Sequence, residues 1–156
     1  MIYLIKLKSL IISLIIPLAV GLVAGALTRD NIPLYTMIIQ PKLSPPGAVF
    51  PIIWPVLYIL MGVSCYIIYE SQSELKNTAL TLYAVQLVIN FLWSIIFFNL
   101  QLYLAAFVFA FALLCLVVAM VAVFLKINKI AGFLQIPYII WLVYANYLSF
   151  GVYLLN

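Results

Sequence analysis

Residues 102–125 read LYLAAFVFAFALLCLVVAMVAVFL, an apolar run without a single charged side chain. A transmembrane helix needs about 20 mostly apolar residues to cross a hydrocarbon core about 30 Å thick. The run is long enough, and it lacks the alternation of apolar and polar residues that marks a transmembrane β-strand. It therefore predicts a membrane-spanning helix, because a helix satisfies its own backbone hydrogen bonds in lipid.

The composition extends this interpretation to the whole chain. The chain has 156 residues, of which 69% are hydrophobic and 6% are charged, whereas a soluble domain carries roughly a quarter charged residues. We therefore predict an all-α integral membrane protein, a bundle of five transmembrane helices in one domain over residues 1–156. The predicted spans are 8–27, 47–69, 77–98, 102–125 and 130–154, with a first loop at 28–46.

The charged residues exclude several classes of function. The net charge is +4, but the lysines are scattered singly, so we predict no nucleic-acid partner. Histidine is absent and the only acids, Asp30, Glu70 and Glu74, fall in predicted loops. We predict no catalytic triad, no metal site, no obligatory cofactor and no ion pathway through the spans. Cys65 and Cys115 lie apart in apolar stretches and are interpreted as small hydrophobic residues.

The N-terminal run allows two interpretations. Ala24-Gly25-Ala26 resembles a signal-peptidase site behind two lysines. The run is long for a signal peptide, however, and Gly21 and Gly25 stand four residues apart, a spacing that lets membrane helices approach closely. We favour a retained first span. This spacing, with that of Ala106 and Ala110 in the fourth span, also predicts a homodimer.

The basic residues predict the orientation in the membrane. An odd number of spans places the two termini on opposite sides, and an excess of lysine and arginine marks the cytoplasmic side. The N-terminus is therefore predicted in the cytoplasm, and the first loop and the C-terminus outside. The N-terminal side carries Lys6, Lys8, Lys76, Lys126 and Lys129, and the other side carries Arg29 and Lys42.

Prolines are concentrated between the first two spans. Those of the first loop fix their own φ and restrict the preceding residue, which predicts a stiff lid; they are Pro33, Pro41, Pro45 and Pro46. Pro51 and Pro55 each remove a hydrogen bond and should loosen the start of the second span. Irregular backbone at membrane depth is tolerated where it lines a cavity. We predict a cavity beneath the lid, with a plain loop and kink as the alternative.

Three spans carry aromatic or polar side chains at helical spacing. Ordinary helix packing explains such stripes, and so does a ligand pocket. Buried Gln86 and Asn90 need hydrogen-bonding partners, either on another helix or on a ligand. The stripes are Trp54, Tyr58, Met61 and Cys65; Tyr83, Gln86, Asn90, Trp93 and Phe97; and Tyr138, Trp141, Ala145 and Ser149.

Several short motifs, in order along the chain, are similar to those of a known family. They are Pro41, Pro45-Pro46, Phe50-Pro51, Trp54, Leu57-Tyr58, Met61-Gly62, Gln86, Asn90, Trp93-Ser94, Phe97-Phe98, Pro137-Tyr138, Trp141 and Leu155-Asn156. Across nearly its whole length the chain resembles a bacterial-type member of the TspO/MBR family, which includes translocator proteins, tryptophan-rich sensory proteins and peripheral-type benzodiazepine receptors.

The resemblance implies a dimeric five-helix receptor of a bacterial cell membrane, with a pocket under the first loop. Its ligands would be porphyrins, such as protoporphyrin IX and haem-like tetrapyrroles, and benzodiazepine-type molecules. Alternatives are a porphyrin transporter and an enzyme that degrades protoporphyrin IX in light, with Trp54 and Trp141 involved. The predicted ligand-binding residues are Tyr35, Pro45, Pro46, Trp54, Tyr58, Met61, Gln86, Asn90, Trp93, Phe97, Tyr138, Trp141 and Ala145.

The chain departs from the family pattern mainly in the lid. Leu34, Gln40 and Leu43 stand where the family commonly has tryptophan, lysine and tryptophan. The lid has therefore less aromatic surface to offer a porphyrin. Tyr153 is followed by no lysine or arginine, so the cholesterol motif of animal members is not expected here.

Overall fold

The computed structural model describes residues 6–156. The predicted cytoplasmic N-terminus at Met1 lies outside these described residues. Residues 6–156 form seven α-helices in order: α1 Leu7–Thr28, α2 Ile32–Met37, α3 Phe50–Tyr69, α4 Lys76–Ser94, α5 Tyr103–Ile127, α6 Lys129–Phe133 and α7 Ile136–Leu155. Five segments in this described part of the chain are long and apolar enough to cross a membrane: Leu7–Met37, Gly47–Tyr69, Lys76–Asn99, Tyr103–Ile127 and Lys129–Leu155. The predicted fold class, a bundle of five transmembrane helices, is confirmed.

Close contacts between helices use the small residues inside the protomer. A Cβ added at Gly62 of α3 would stand 2.8 Å from the carbonyl oxygen of Ser13 in α1, so the two backbones meet directly. A Cβ added at Gly21 would collide with the ring of Tyr58. Gly21 therefore faces α3 of its own chain, and α1 and α3 form an antiparallel pair.

The small residues of α5 are used in the same way. Ala106 and Ala110 are 0% and 1% exposed, and the side-chain amide of Asn146 in α7 donates to the carbonyl oxygen of Ala110 at 3.1 Å. α7 covers this face, so these small residues serve a contact within the protomer. The homodimer itself stays a prediction.

The region between the first two spans differs from the predicted loop 28–46. The chain leaves α1 through a 3₁₀ turn, Arg29–Asn31, and enters α2, so only residues 38–46 lie outside helical turns. Pro51 stands in the first turn of α3, where a proline removes no intrahelical bond. The predicted loosening at Pro51 is therefore wrong, and α3 also continues through Pro55.

The last span is two helices rather than the single predicted run 130–154. Asn128 caps α6, because its side-chain oxygen accepts from the backbone N–H groups of Ile130 at 2.9 Å and Ala131 at 3.2 Å. At the break, the buried Gln135 donates its side-chain amide to the carbonyl oxygen of Leu60 in α3 at 3.3 Å. This bond anchors the start of α7 against α3.

Candidate ligand-binding site

A chain of hydrogen bonds joins α3, α4 and α7 at the centre of the bundle. The Tyr58 hydroxyl donates to Oδ1 of Asn90 at 3.1 Å, and Nδ2 of Asn90 donates to the Tyr138 hydroxyl at 2.8 Å. That hydroxyl donates in turn to Oε1 of Gln86 at 2.9 Å. Both amide side chains are fully buried. Of the two roles left open by the sequence, bonding between helices is therefore the one that these amides perform in the structure.

Trp54 lies at the centre of an aromatic cluster. Its ring is stacked on Tyr58, with centroids 5.5 Å apart. It also lies 6.4 Å from Trp93, 6.3 Å from Trp141 and 6.4 Å from Tyr138. The three stripes predicted from helical spacing thus converge on one residue, and all three tryptophans of the chain meet there.

A second aromatic group lies between this cluster and the first loop. Phe50 contacts Tyr35 edge to face, at a centroid distance of 5.6 Å, and Trp141 at 5.9 Å. Phe97 is stacked on Trp93 at 5.5 Å. The buried Ala145 belongs to the same group. Aromatic side chains therefore fill the space between α3, α4 and α7 from Tyr58 up to the loop.

The open space lies on the other side of Trp54, against α1. A cavity of about 610 Å³ separates the last turns of α1 from the first turns of α3. Arg29 stands on its lining at the end of α1. The full lining is Leu18, Gly21, Leu22, Ala24, Gly25, Ala26, Thr28, Arg29, Ile32, Phe50, Pro51, Trp54, Pro55, Tyr58, Ser94 and Phe98.

Two of the predicted site residues, Trp54 and Tyr58, line this cavity. Others lie behind them, in the polar chain and the aromatic groups: Met61, Gln86, Asn90, Trp93, Phe97, Tyr138, Trp141 and Ala145. Tyr35 and Phe97 border a separate gap of about 10 Å³. Pro45 and Pro46 belong to the segment above α3 and are not part of either lining. Direct contact between these residues and a ligand stays a prediction.

The contribution of α1 to the lining was missed from the sequence. Gly25 was interpreted as a helix-contact residue, yet a Cβ added there would meet nothing within 4 Å. Small residues permit a close approach, as at Gly21, but they equally leave space where the neighbouring helix diverges. The spacing of Gly21 and Gly25 was the available signal, and it could not distinguish these two outcomes.

Two buried donors remain in the aromatic cluster. The indole N–H groups of Trp93 and Trp141 have no hydrogen-bond acceptor among the described residues. A buried donor without a partner costs free energy. The cluster is therefore tightly filled but not fully satisfied, unlike the Asn90 chain beside it.

Comparison with known proteins places these features in a family. A sequence model of the TspO/MBR family matches residues 13–155. The chain belongs to the TspO/MBR family. It is 35% identical over 153 residues to tryptophan-rich protein TspO of Archaeoglobus fulgidus, covering 95% of this chain and 97% of that protein.

Other relatives match most of the chain as well. Protein CrtK of Rhodobacter capsulatus is 36% identical over 125 residues, which are 78% of each chain. The translocator protein of Ovis aries is 29% identical over 122 residues, 76% of this chain and 72% of that protein. The predicted resemblance is confirmed, and the chain is an integral membrane protein of the TspO/MBR sensor and translocator family.

Proposed function

We propose that this chain is a membrane receptor for porphyrins, with benzodiazepine-type hydrophobic molecules as further ligands, and that the ligand binds in the cavity between α1 and α3. The observation that carries the proposal is the 610 Å³ cavity with Trp54 and Tyr58 on its lining. Its volume falls in the range of about 300–1,000 Å³ that is typical of small-molecule pockets, and its lining is mainly apolar.

The lining suits a flat ligand that carries a negative group. An indole ring favours offset stacking on another π-system, and Trp54 is held in place from behind by the aromatic cluster. Arg29 contacts Asp30 at 3.4 Å, with both side chains largely exposed. An exposed ion pair of this kind is weak, so the guanidinium group is free to bind a carboxylate at the edge of the cavity.

Titration with protoporphyrin IX tests the proposal. Binding is followed by the shift of the porphyrin absorbance, because this readout does not depend on the tryptophans being changed. We expect Trp54→Ala to weaken binding about tenfold or more, since it removes both stacking and buried area. Trp93→Ala is the matched control with a smaller effect, because Trp93 lies behind Trp54. Equal affinity in the wild type and in the Trp54→Ala, Trp141→Ala double variant would contradict the proposal.

The same preparation separates the receptor from its two alternatives. A transporter moves porphyrin into proteoliposomes, whereas a receptor does not. A degrading enzyme destroys the porphyrin absorbance in light but not in darkness, and Trp54→Phe should slow that loss while binding survives, because phenylalanine stacks but is harder to oxidise. A stable spectrum under light together with no flux supports the receptor.

We also propose the orientation predicted from the lysines, with the first loop and the C-terminus outside the cell. It is supported by the excess of lysine at the opposite end of the bundle. When a reporter enzyme is fused after Asn156, we expect its activity on the outer side of the membrane and not in the cytoplasm. Cytoplasmic activity of that fusion would contradict this orientation.

A further inference from the structure

The segment after α2 runs along α7 and contacts it at several successive positions. The backbone N–H of Ile39 donates to the side-chain oxygen of Asn156 at 3.0 Å, and the Asn156 amide donates back to the Ile39 carbonyl at 2.8 Å. Further down α7, a Cβ added at Gly151 would stand 2.6 Å from Cβ of Pro41. Pro41 therefore rests directly on the backbone of α7, about one and a half turns below the end of the helix.

Two tyrosines continue these contacts towards the middle of α7. The hydroxyl of Tyr147 donates to the carbonyl oxygen of Lys42, and the hydroxyl of Tyr144 donates to that of Leu43. From residue 39 to residue 43, the chain thus follows α7 from its last residue down to Tyr144. This direction leads from the end of the bundle towards its middle.

The depth of this segment follows from the length of α7. Tyr144 precedes Asn156 by twelve residues, or about 18 Å along a helix with a rise of 1.5 Å per residue. The intervening surface of α7 is apolar to its end, with Phe150, Tyr153 and Leu154 all exposed. We therefore place the boundary of the hydrocarbon core near the end of α7. Even with the full length of a tyrosine side chain allowed for, Leu43 lies below that level.

Four of the six carbonyl groups of the segment accept hydrogen bonds from protein side chains. Non-helical backbone in hydrocarbon must have its polar groups satisfied by protein. The carbonyl of Ile39 accepts from Asn156, those of Lys42 and Leu43 accept from tyrosines of α7, and that of Pro41 accepts from the Ser44 hydroxyl at 2.8 Å. Proline has no backbone N–H, so Pro41 removes one donor of the segment that would otherwise need a partner.

Three apolar side chains in and beside the segment are exposed. Leu43 is 84% exposed, Met37 80% and Ile39 62%. Exposure of these three apolar side chains to water would be unfavourable, whereas lipid acyl chains are a suitable solvent for them. Lys42 is also exposed, and a lysine at this depth can extend its amine to the headgroups while its stem stays in lipid.

We infer that residues 38–43 form a re-entrant segment that lies within the bilayer, in the leaflet at the C-terminal end of α7, with Ile39 and Leu43 against lipid acyl chains. The lid is then part of the membrane surface of the protein rather than a loop in water. This inference does not depend on which ligand the cavity takes.

Spin labels test the depth of the segment. Single cysteines replace Leu43, Asp30 and Val108 in a Cys65→Ala, Cys115→Ala background, and the labelled proteins are reconstituted in phosphatidylcholine liposomes. Collisions with oxygen, which concentrates in the bilayer, are compared with those of a water-soluble nickel chelate. We expect the ratio of oxygen to nickel collisions at Leu43 to match that at Val108, an exposed residue of α5, and to exceed that at Asp30, whose carboxylate is exposed.

Two results would overturn the inference. A label at Leu43 that behaves like the one at Asp30 would place the segment in water. A label there that is shielded from both reagents would mean that protein, such as a second copy of the chain, covers the segment instead of lipid.

A second measurement tests the contacts that hold the segment. The Tyr144→Phe, Tyr147→Phe double variant removes both donors to the carbonyls of Lys42 and Leu43. We expect nickel collisions at the Leu43 label to rise, because these carbonyls must then find water. Tyr153→Phe is the control, since Tyr153 is an exposed tyrosine of the same helix that donates to no carbonyl among the described residues. Equal nickel collisions in the two variants would show that the hydroxyls do not hold the segment.

Discussion

The two sides of α3 differ in how completely they are filled. Towards α4 and α7, Trp54 and Tyr58 meet large aromatic side chains and a continuous chain of hydrogen bonds. Towards α1, the same two residues line a cavity of about 610 Å³. The difference lies in the partner helices, because α1 offers Gly21, Ala24 and Gly25 at this level, where α4 and α7 offer aromatic rings.

The comparison separates two tasks that one aromatic stripe performs. The filled side fixes the positions of Trp54 and Tyr58, since their rings touch neighbours there. The open side exposes the other part of the same rings to whatever enters the cavity. A change on the filled side leaves apolar space unfilled, which costs stability, so we expect such changes to affect unfolding. Changes on the open side should instead affect ligand binding.

The largest loss of stability is expected from Asn90→Leu. This change keeps the approximate volume but leaves the Tyr58 hydroxyl without an acceptor and deprives the Tyr138 hydroxyl of a donor, which should cost about 2–3 kcal/mol. Thermal unfolding in mild detergent measures the effect. Ser94→Ala is the control, because Ser94 lines the cavity and makes only a 3.4 Å bond to its own helix. Equal stability of the two variants would mean that the filled side of α3 contributes no more to stability than the open side.

A smaller loss is expected where α1 touches α3. Gly21→Ala places a methyl group against the Tyr58 ring, and overpacking of this kind costs about 1–2 kcal/mol. Gly25→Ala changes the same residue type in the same helix but meets open space. Because both changes gain the same helix propensity, the difference between their unfolding midpoints isolates the contact. Identical midpoints would mean that α1 is not held against Tyr58.

The smallest effect on stability is expected at the C-terminal end of α3, away from both the filled side and the open side of this helix. The Lys6 amine lies 2.8 Å from a carboxylate oxygen of Glu70. A hydrogen bond from Lys6 lowers the pKa of the Glu70 carboxyl, so this carboxylate stabilises the fold above its unfolded pKa, about 4.3. The contribution is lost as the pH falls through the lower folded pKa. Glu70→Gln should slightly reduce the acid sensitivity of thermal unfolding, and an unchanged acid profile would show that the pair contributes nothing.

The fold class could be predicted from the sequence because uninterrupted apolar length determines membrane spans. The register of each stripe was also accessible, since the helical period places Trp54 and Tyr58 on one face. The break at Leu134 and Gln135 was missed, although Pro137 in the first turn of α7 was an available signal for it. The bond from Gln135 to Leu60 of another helix was not accessible. Composition and spacing carry no information on such a partner.

The position of the cavity depended on tertiary geometry in the same way. The prolines of the first loop predicted a stiff segment between the first two spans, and residues 38–46 lie outside helical turns. The cavity, however, arises where α1 diverges from α3 beside Gly25. Gly21 and Gly25 look alike in the sequence, and only the path of α1 distinguishes contact from space.

Filling the cavity from α1 is the most direct test of the proposed site. Protoporphyrin IX is titrated into the wild type, Gly25→Ala and Gly25→Leu, with thermal unfolding measured on the same samples. A Cβ at Gly25 meets nothing within 4 Å, so leucine should occupy ligand space without disturbing the fold. We predict that Gly25→Leu weakens porphyrin binding about tenfold or more, which is a loss of about 1.4 kcal/mol or more of binding free energy. The unfolding midpoint of Gly25→Leu should stay that of Gly25→Ala. Unchanged porphyrin affinity in a normally folded Gly25→Leu protein would contradict the assignment of the cavity as the binding site.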